Sequence, residues 1–216
     1  MSASARDYRP SDRLILGLDR LAQALRPAPA AATPHDPAAG VPAAPLDEAA
    51  RRAAADLMRV NHAGEISAQG LYRGQALVAR QAQTRAHLLE AAEEERAHLA
   101  WCERRLAELG DRPSRLAPLW YAGSFGIGVV AGLAGDRVSL GFVAETEKQV
   151  AEHLDDHLQR LPAADQRSRA VLQAMRADET RHGQAAEARG GVSLPGPVRG
   201  LMRGIAAIMK QGAARL

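Results

Sequence analysis

Residues 86–109 read AHLLEAAEEERAHLAWCERRLAEL, and residues 170–188 read AVLQAMRADETRHGQAAEA. In the first stretch Leu88, Ala91 or Ala92, Leu99, Cys102, Leu106 and Leu109 recur at the three- and four-residue intervals of one helix face. Glu95 and His98 fall inside that stripe, where the pattern asks for leucine. The second stretch does the same: Leu172, Met175 and Ala186 form the stripe, and Glu179 and His182 fill the gap. Both pairs are Glu-x-x-His, a spacing that sets the two side chains on one side of a helix.

Two further segments each carry one glutamate in phase with an apolar stripe. Glu65 sits among Leu57 or Met58, Ala68, Tyr72 and Ala79, and Glu147 among Leu140, Val143, Val150, Leu154, Leu158 and Leu161. Glu65 precedes Glu95 by 30 residues and Glu147 precedes Glu179 by 32, so the chain holds two similar half-sites. The spacing predicts six ionisable side chains pointing into one core. An unpaired buried carboxylate is disfavoured by several kcal/mol, so it takes up a proton or coordinates a cation. Four glutamates and two histidines without a basic partner in phase favour cations. A lone Glu-x-x-His in a glutamate-rich chain is usually a solvated pair. Two of them, each preceded by an in-phase Glu, reverse that expectation.

A Glu from each of two helices plus a Glu-x-x-His from each of two others is the inward-facing ligand set of ferritin-like di-metal bundles. The expected metal ligands are therefore Glu65, Glu95, His98, Glu147, Glu179 and His182, with Glu95 and Glu179 placed to bridge. Oxygen-rich coordination with one imidazole per metal suits iron or manganese over copper or zinc. Two ferrous ions about 3.5 to 4 Å apart can deliver two electrons to dioxygen together. Among the remaining candidates, His62 is expected beside the site, hydrogen-bonded to a ligand. Glu145 is rotated away from the core, Glu90, Glu93 and Glu94 form a charged outer face, His153 is close to the site face, and His35 and His87 look incidental.

The rest of the chain is consistent with an all-α bundle. Aromatics are 3% of the 216 residues, and Ala, Leu, Arg and Glu dominate, a composition that favours helices. Turn signals at Thr84, around Gly110 to Pro113, at Gly135 and Asp136, and at Pro162 divide residues 47–216 into four long helices. Residues 116–135, LAPLWYAGSFGIGVVAGLAG, are uncharged and too rich in glycine for a comfortable soluble helix; they have the length of a crossover. Their length also meets the criterion for a membrane span. A single span would separate the half-sites, so partial insertion into one leaflet is the compatible reading. Residues 1–26 contain an amphipathic helix, SDRLILGLDRLAQALR, and residues 27–46 form a Pro/Ala-rich linker.

The tail, LPGPVRGLMRGIAAIMKQGAARL, is amphipathic and basic, suited to packing on the bundle or to an anionic membrane surface. The single cysteine, Cys102, excludes an intramolecular disulfide and fits a reducing compartment. The net charge of +3 comes from arginines scattered among glutamates, which argues against nucleic acid as a partner. The first ten residues lack the apolar core of a secretory signal.

NHAGE at 61–65, ERAH at 95–98, PLWYAGSFGIGVVAGLAG at 118–135, ETEKQVAEH at 145–153 and DETRHG at 178–183 together resemble the demethoxyubiquinol hydroxylases of ubiquinone biosynthesis, over about residues 50 to 216. The resemblance implies two iron ions per chain on the six residues named above, with Glu95 and Glu179 as bridges. It also implies insertion of one oxygen atom from O2 into the ring of demethoxyubiquinol, giving demethylubiquinol. Further implied partners are an electron donor, other ubiquinone-biosynthesis proteins or a second copy of the chain. Peripheral attachment to the cytoplasmic side of a bacterial inner membrane follows from the bilayer-dissolved substrate, whose isoprenoid tail would meet Leu119, Ile127 and Val129. Two other classes use similar features: an iron-oxidising bundle, and a quinone-binding scaffold with a structural metal.

Overall fold

The computed structural model describes residues 36–215, which form six helices and, among the described residues, no strand. They are α1 (Glu48–Val78), α2 (Ala82–Glu108), α3 (Ala117–Leu133), α4 (Asp136–Arg160), α5 (Gln166–Ala188) and α6 (Gly196–Arg215). The helix expected within residues 1–26 and most of the linker lie outside the described residues. The linker's end, residues 36–46, is non-helical, as its proline content predicts, but it is docked on the bundle. The Asp36 carboxylate accepts a hydrogen bond from Arg104 at 2.9 Å, and Ala38 packs into the core cluster that includes Leu57, Trp101 and Leu154.

Helices α1, α2, α4 and α5 make the bundle. Gly110, at φ 73°, supplies the left-handed residue after α2, and Gly135, at φ 106°, turns the chain into α4. Asp47 caps α1 by accepting from the Ala50 amide at 2.8 Å, and Asp165 caps α5 by accepting from the Ser168 amide at 3.0 Å.

The first helix break falls at Ala79–Gln81, not at Thr84, which is buried in the first turn of α2. The physical reason is remote: the Asp136 carboxylate, at the start of α4, accepts from the backbone amides of Arg80 and Gln81 at 2.9 and 2.8 Å. These two bonds anchor the residues just ahead of α2 to α4, and α2 has no capping side-chain bond of its own.

The glycine-rich crossover is a regular helix, contrary to the expectation from composition. Helix α3 runs parallel to α1: Gly70 and Gly74 of α1 lie against the backbone at Tyr121 and Phe125, and Gly128 and Gly132 of α3 lie against the backbone at Leu71 and Gln75. A methyl group on Gly74 or Gly128 would overlap the carbonyl oxygen of Phe125 or Leu71. Glycine's helix-propensity cost is thus offset by backbone-to-backbone packing, the arrangement that small residues at four-residue spacing allow. Because α3 carries the chain back along α1, α4 starts beside the α1–α2 turn. None of the described helices is long and apolar enough to cross a membrane.

The stripes read from the sequence are the core. Met58, Tyr72, Leu88, Leu106, Leu154, Leu172 and Met175 are fully buried, with the charged layer described below between them.

Candidate metal centre

All six predicted residues meet in the middle of the bundle. Glu65 (α1), Glu95 and His98 (α2) and Glu179 (α5) bring ligand atoms within 4.8 Å of one another, as do Glu95, Glu147 (α4), Glu179 and His182 (α5). Glu95 and Glu179 belong to both groups. The four glutamates are each at most 3% exposed.

The two imidazoles are held alike. His98 Nδ1 faces inward, 2.8 Å from Glu95 Oε2, 3.2 Å from Glu179 Oε1 and 3.5 Å from Glu65 Oε2. His182 Nδ1 lies 3.3 Å from Glu95 Oε1 and 3.5 Å from Glu179 Oε2. The outer nitrogens are gripped crosswise: His98 Nε2 donates to Asp178 at 3.1 Å, and His182 Nε2 donates to Glu94. Arg181 reaches both of these outer carboxylates. Fixing one ring nitrogen on a carboxylate leaves the other aimed at the ligand position, the usual support of a metal-binding histidine.

The electrostatics are those of a cluster waiting for cations. Burial pushes Glu65 well above the ordinary carboxylate range, and burial together with the charge of Glu179 does the same to Glu147. Burial alone would also raise Glu95, but the charge of His98 and hydrogen bonds from His182 and His98 hold it below the usual range. Burial opposes protonation of both imidazoles, yet Glu95 and the surrounding carboxylates drive His98 well above its ordinary value, and Glu179 and Glu95 push His182 to about 11. Protons thus occupy the positions a cation would take. Even so, Glu95 Oε1, Glu147 Oε1, Glu179 Oε1 and His182 Nδ1 are buried without a hydrogen bond of adequate geometry, although some lie within ion-pair distance of each other. Orphaned donor atoms in a carboxylate-rich set with one imidazole on each side fit a pair of hard divalent ions.

Two functional residues were missed. Glu94 falls on the charged outer face in the sequence pattern, but it supports His182; Asp178 is off the apolar stripe, but it supports His98. The repeat contains the signal, since Glu94-Glu95-x-x-His98 and Asp178-Glu179-x-x-His182 both place an acid directly before the bridging glutamate. His62 is beside the site as expected, but its neighbour is Glu103 at 3.4 Å and not a ligand, because its ring is turned towards α2. Glu145 points away from the cluster and lies 3.8 Å from Arg203 of α6. Glu93 is an outer-face residue paired with Arg96. His35 lies outside the described residues.

A cavity of about 720 Å³ runs between α1, α3, α4 and α6 and has Glu65 in its wall. Leu71, Leu119, Ile127, Phe142 and Met209 are among its apolar lining, and Asn61, Gln149 and His153 are among its polar groups. Of the residues expected to meet an isoprenoid tail, Leu119 and Ile127 line it; Val129 is not among the lining residues, and its backbone nitrogen lies near Gly74 of α1. Helix α6 closes one side. Its Ala213 is buried with Val60 and Ala63, and its Ala214 carbonyl accepts from Arg59 at 2.9 Å, yet Leu201 is 65% and Ile208 69% exposed.

A bundle of this topology, with two clusters of carboxylate and imidazole ligands sharing two glutamates, is that of a ferritin-like carboxylate protein. Residues 52–213 match the family model described as ubiquinone biosynthesis protein COQ7, and the chain belongs to that family. Among its relatives is a protein of Xanthomonas oryzae pv. oryzae, 54% identical over 215 residues, covering 100% of this chain and 99% of the relative. A Bordetella petrii protein is 54% identical over 204 residues, 94% of this chain and 91% of the relative. One from Cupriavidus pinatubonensis is 61% identical over 171 residues, 79% and 83% of the two chains. Each of these relatives is named 3-demethoxyubiquinol 3-hydroxylase.

Proposed function

We propose that this chain is a 3-demethoxyubiquinol 3-hydroxylase that works with two iron ions, held by Glu65, Glu95 and His98 on one side and Glu147, Glu179 and His182 on the other, with Glu95 and Glu179 between them. The observation that carries the reading is the placement of the two ligand clusters at the wall of a largely apolar cavity, through Glu65. When bound, ferrous iron supplies the O2-binding site and the reducing electrons that monooxygenation needs.

The protein's own residues do the rest. Leu71, Ile127 and Phe142 give the ring and the first part of an isoprenoid chain an apolar path and keep water from the reacting centre. Asp178 and Glu94 hold the imidazoles in one orientation, so that the donor geometry is set before substrate enters. One atom of O2 ends in the ring hydroxyl and the other in water, so each turnover consumes two electrons and two protons from a donor outside the chain.

Peripheral attachment to the inner membrane on its cytoplasmic side belongs to the same reading. Leu119, Val130 and Leu133 on α3 and Leu201, Ile205 and Ile208 on α6 are exposed apolar side chains, and Arg199, Arg203 and Lys210 flank the α6 set. A basic amphipathic helix beside an apolar one suits an anionic bilayer surface, where a polyprenyl quinol would enter without passing through water.

The test is anaerobic loading with ferrous iron, then addition of a short-chain demethoxyubiquinol and isotopically labelled O2, with the product weighed by mass spectrometry. The expected product carries one labelled oxygen and is absent with Glu179→Ala. Unaltered quinol with rapid formation of ferric iron would assign the cluster to iron oxidation instead.

A further inference from the structure

Asn61 stands on α1 one turn before Glu65 and lines the cavity, although it is almost wholly buried. Its carbonyl oxygen accepts a hydrogen bond from His157 Nδ1 of α4 at 2.9 Å, while its amide nitrogen Nδ2 is buried with no partner. His157 is locked in turn. It is buried and packed edge to face on His153, with ring centroids 3.8 Å apart and planes at 62°. Burial, with the neighbouring His153 and Arg160, holds His157 down to about 3, so the ring is neutral and the proton shared with Asn61 sits on Nδ1. The amide is therefore fixed with its oxygen towards α4, and its unpartnered nitrogen belongs to a side chain that lines the cavity.

A buried donor with no acceptor is costly, and native proteins normally supply it with a partner. The cavity surface as a whole is mainly apolar and no group of the protein accepts from Nδ2, so the partner is brought by what fills the cavity. The isoprenoid tail of a prenylated quinol has no acceptor. Its ring has hydroxyl and methoxy oxygens at the rim. We propose that Asn61 Nδ2, oriented by His157, donates a hydrogen bond to a ring oxygen of the quinol and so selects which edge of the ring faces the glutamate cluster. Asn61 contacts the substrate; His157 is a positioning residue that acts through it. The inference rests on the hydroxylase reading for the identity of the ligand, but its test reads binding and is independent of turnover.

Trp120 lines the same cavity, so quenching of tryptophan fluorescence reports occupancy in the full-length, metal-free protein. Two probes are compared: a short-tailed demethoxyubiquinone, read by quenching, and an alkylbenzene with the same tail and no ring oxygens, read by its displacement of the quinone. Asn61→Leu is expected to raise Kd for the quinone about tenfold (about 1.4 kcal/mol) and to leave Kd for the alkylbenzene unchanged. His157→Leu should show the same selective loss, and His157→Gln, whose amide can still donate to Asn61, should recover most of it. In the iron-loaded enzyme Asn61→Leu should form less product per O2 consumed, with KM rising more than kcat falls.

Equal weakening of both probes in Asn61→Leu, or an unchanged quinone Kd in both Asn61→Leu and His157→Leu, overturns the proposal. Should Asn61→Leu fail to fold, the His157 pair decides, since Asn61 is then intact. Ring-selective loss in a protein that proves unable to hydroxylate supports the binding role while removing the activity reading, so the two failures are distinct.

Discussion

Removing the carboxylate behind His98 should weaken one metal site and spare the other. Asp178 accepts from His98 Nε2 at 3.1 Å, its side chain is 25% exposed, and it lies outside both ligand clusters. Losing such a support typically lowers metal affinity about ten- to a hundredfold, or about 1.4 to 2.8 kcal/mol. Asp178→Ala should fall in that range. Asp178→Asn keeps an acceptor but loses the charge, and a charge-assisted bond is roughly twice as strong as a neutral one, so about half the free energy survives and the loss is about three- to tenfold. Glu94→Ala should act on the His182 side and towards the lower end of the range, because Glu94 is 45% exposed and more of its charge is screened by water. The assay is anaerobic titration with cobalt as a spectroscopic stand-in for iron, in competition with a chelator, where two binding steps are resolved. If Asp178→Ala weakened both steps equally, or neither, the crosswise support would be wrong.

Other expectations follow from the same geometry. Metal loading near neutral pH should release protons, because Glu65, Glu147, His98 and His182 all titrate above their ordinary values and must give up protons to a cation. Apparent metal affinity should therefore fall as pH falls, which calorimetry in buffers of different ionisation enthalpy measures. In the metal-free protein, His182 contributes stability that is fully present below the unfolded value of about 6.5 and lost as pH rises through about 11, since the fold binds the proton more tightly than the unfolded chain. His157, held down to about 3, has the opposite sign: its contribution is present above about 6.5 and lost as pH falls towards 3, by up to about 1.4 kcal/mol per pH unit. Since Glu65 and Glu147 work against that loss in acid, the measurement is the difference in denaturant midpoint between the parent and His157→Gln from pH 7 to 4. Gly128→Ala should destabilise by about 1 to 3 kcal/mol through its clash with the Leu71 carbonyl, whereas Gly126→Ala, which has open space, should be neutral or stabilising by up to about 1 kcal/mol; thermal unfolding distinguishes them. Replacing Leu201, Ile205 and Ile208 together by serine should reduce sedimentation with anionic vesicles at least tenfold without lowering Tm, because all three are exposed.

The bundle and its ligand layer were legible because they are periodic. Side chains three and four apart share a helix face whatever the tertiary structure does, so Glu95 with His98, and Glu179 with His182, could be placed from spacing alone. The doubled half-site then made burial of four glutamates intelligible only with cations. What failed in the reading depended on contacts between distant residues. Thr84 looked like a break because the carboxylate that satisfies the turn, Asp136, lies far along the chain. The crossover looked too rich in glycine for a comfortable soluble helix because propensity counts the cost of glycine and not the close approach it allows against Gly70 and Gly74 of α1.

Glu94 and Asp178 fell off the stripe of their own helices, yet each reaches a histidine on the other. His157 and Asn61, 96 residues apart in the chain, show no sequence relation at all. The sequence by itself determined the helices, their inward faces, the six clustered residues and, through its motifs, the family. The tertiary structure alone decided which carboxylates support which imidazoles, how α3 packs on α1, and where the cavity meets the cluster. Local periodicity is written in the order of residues, but the pairing of groups across helices is set by packing, which no single segment encodes.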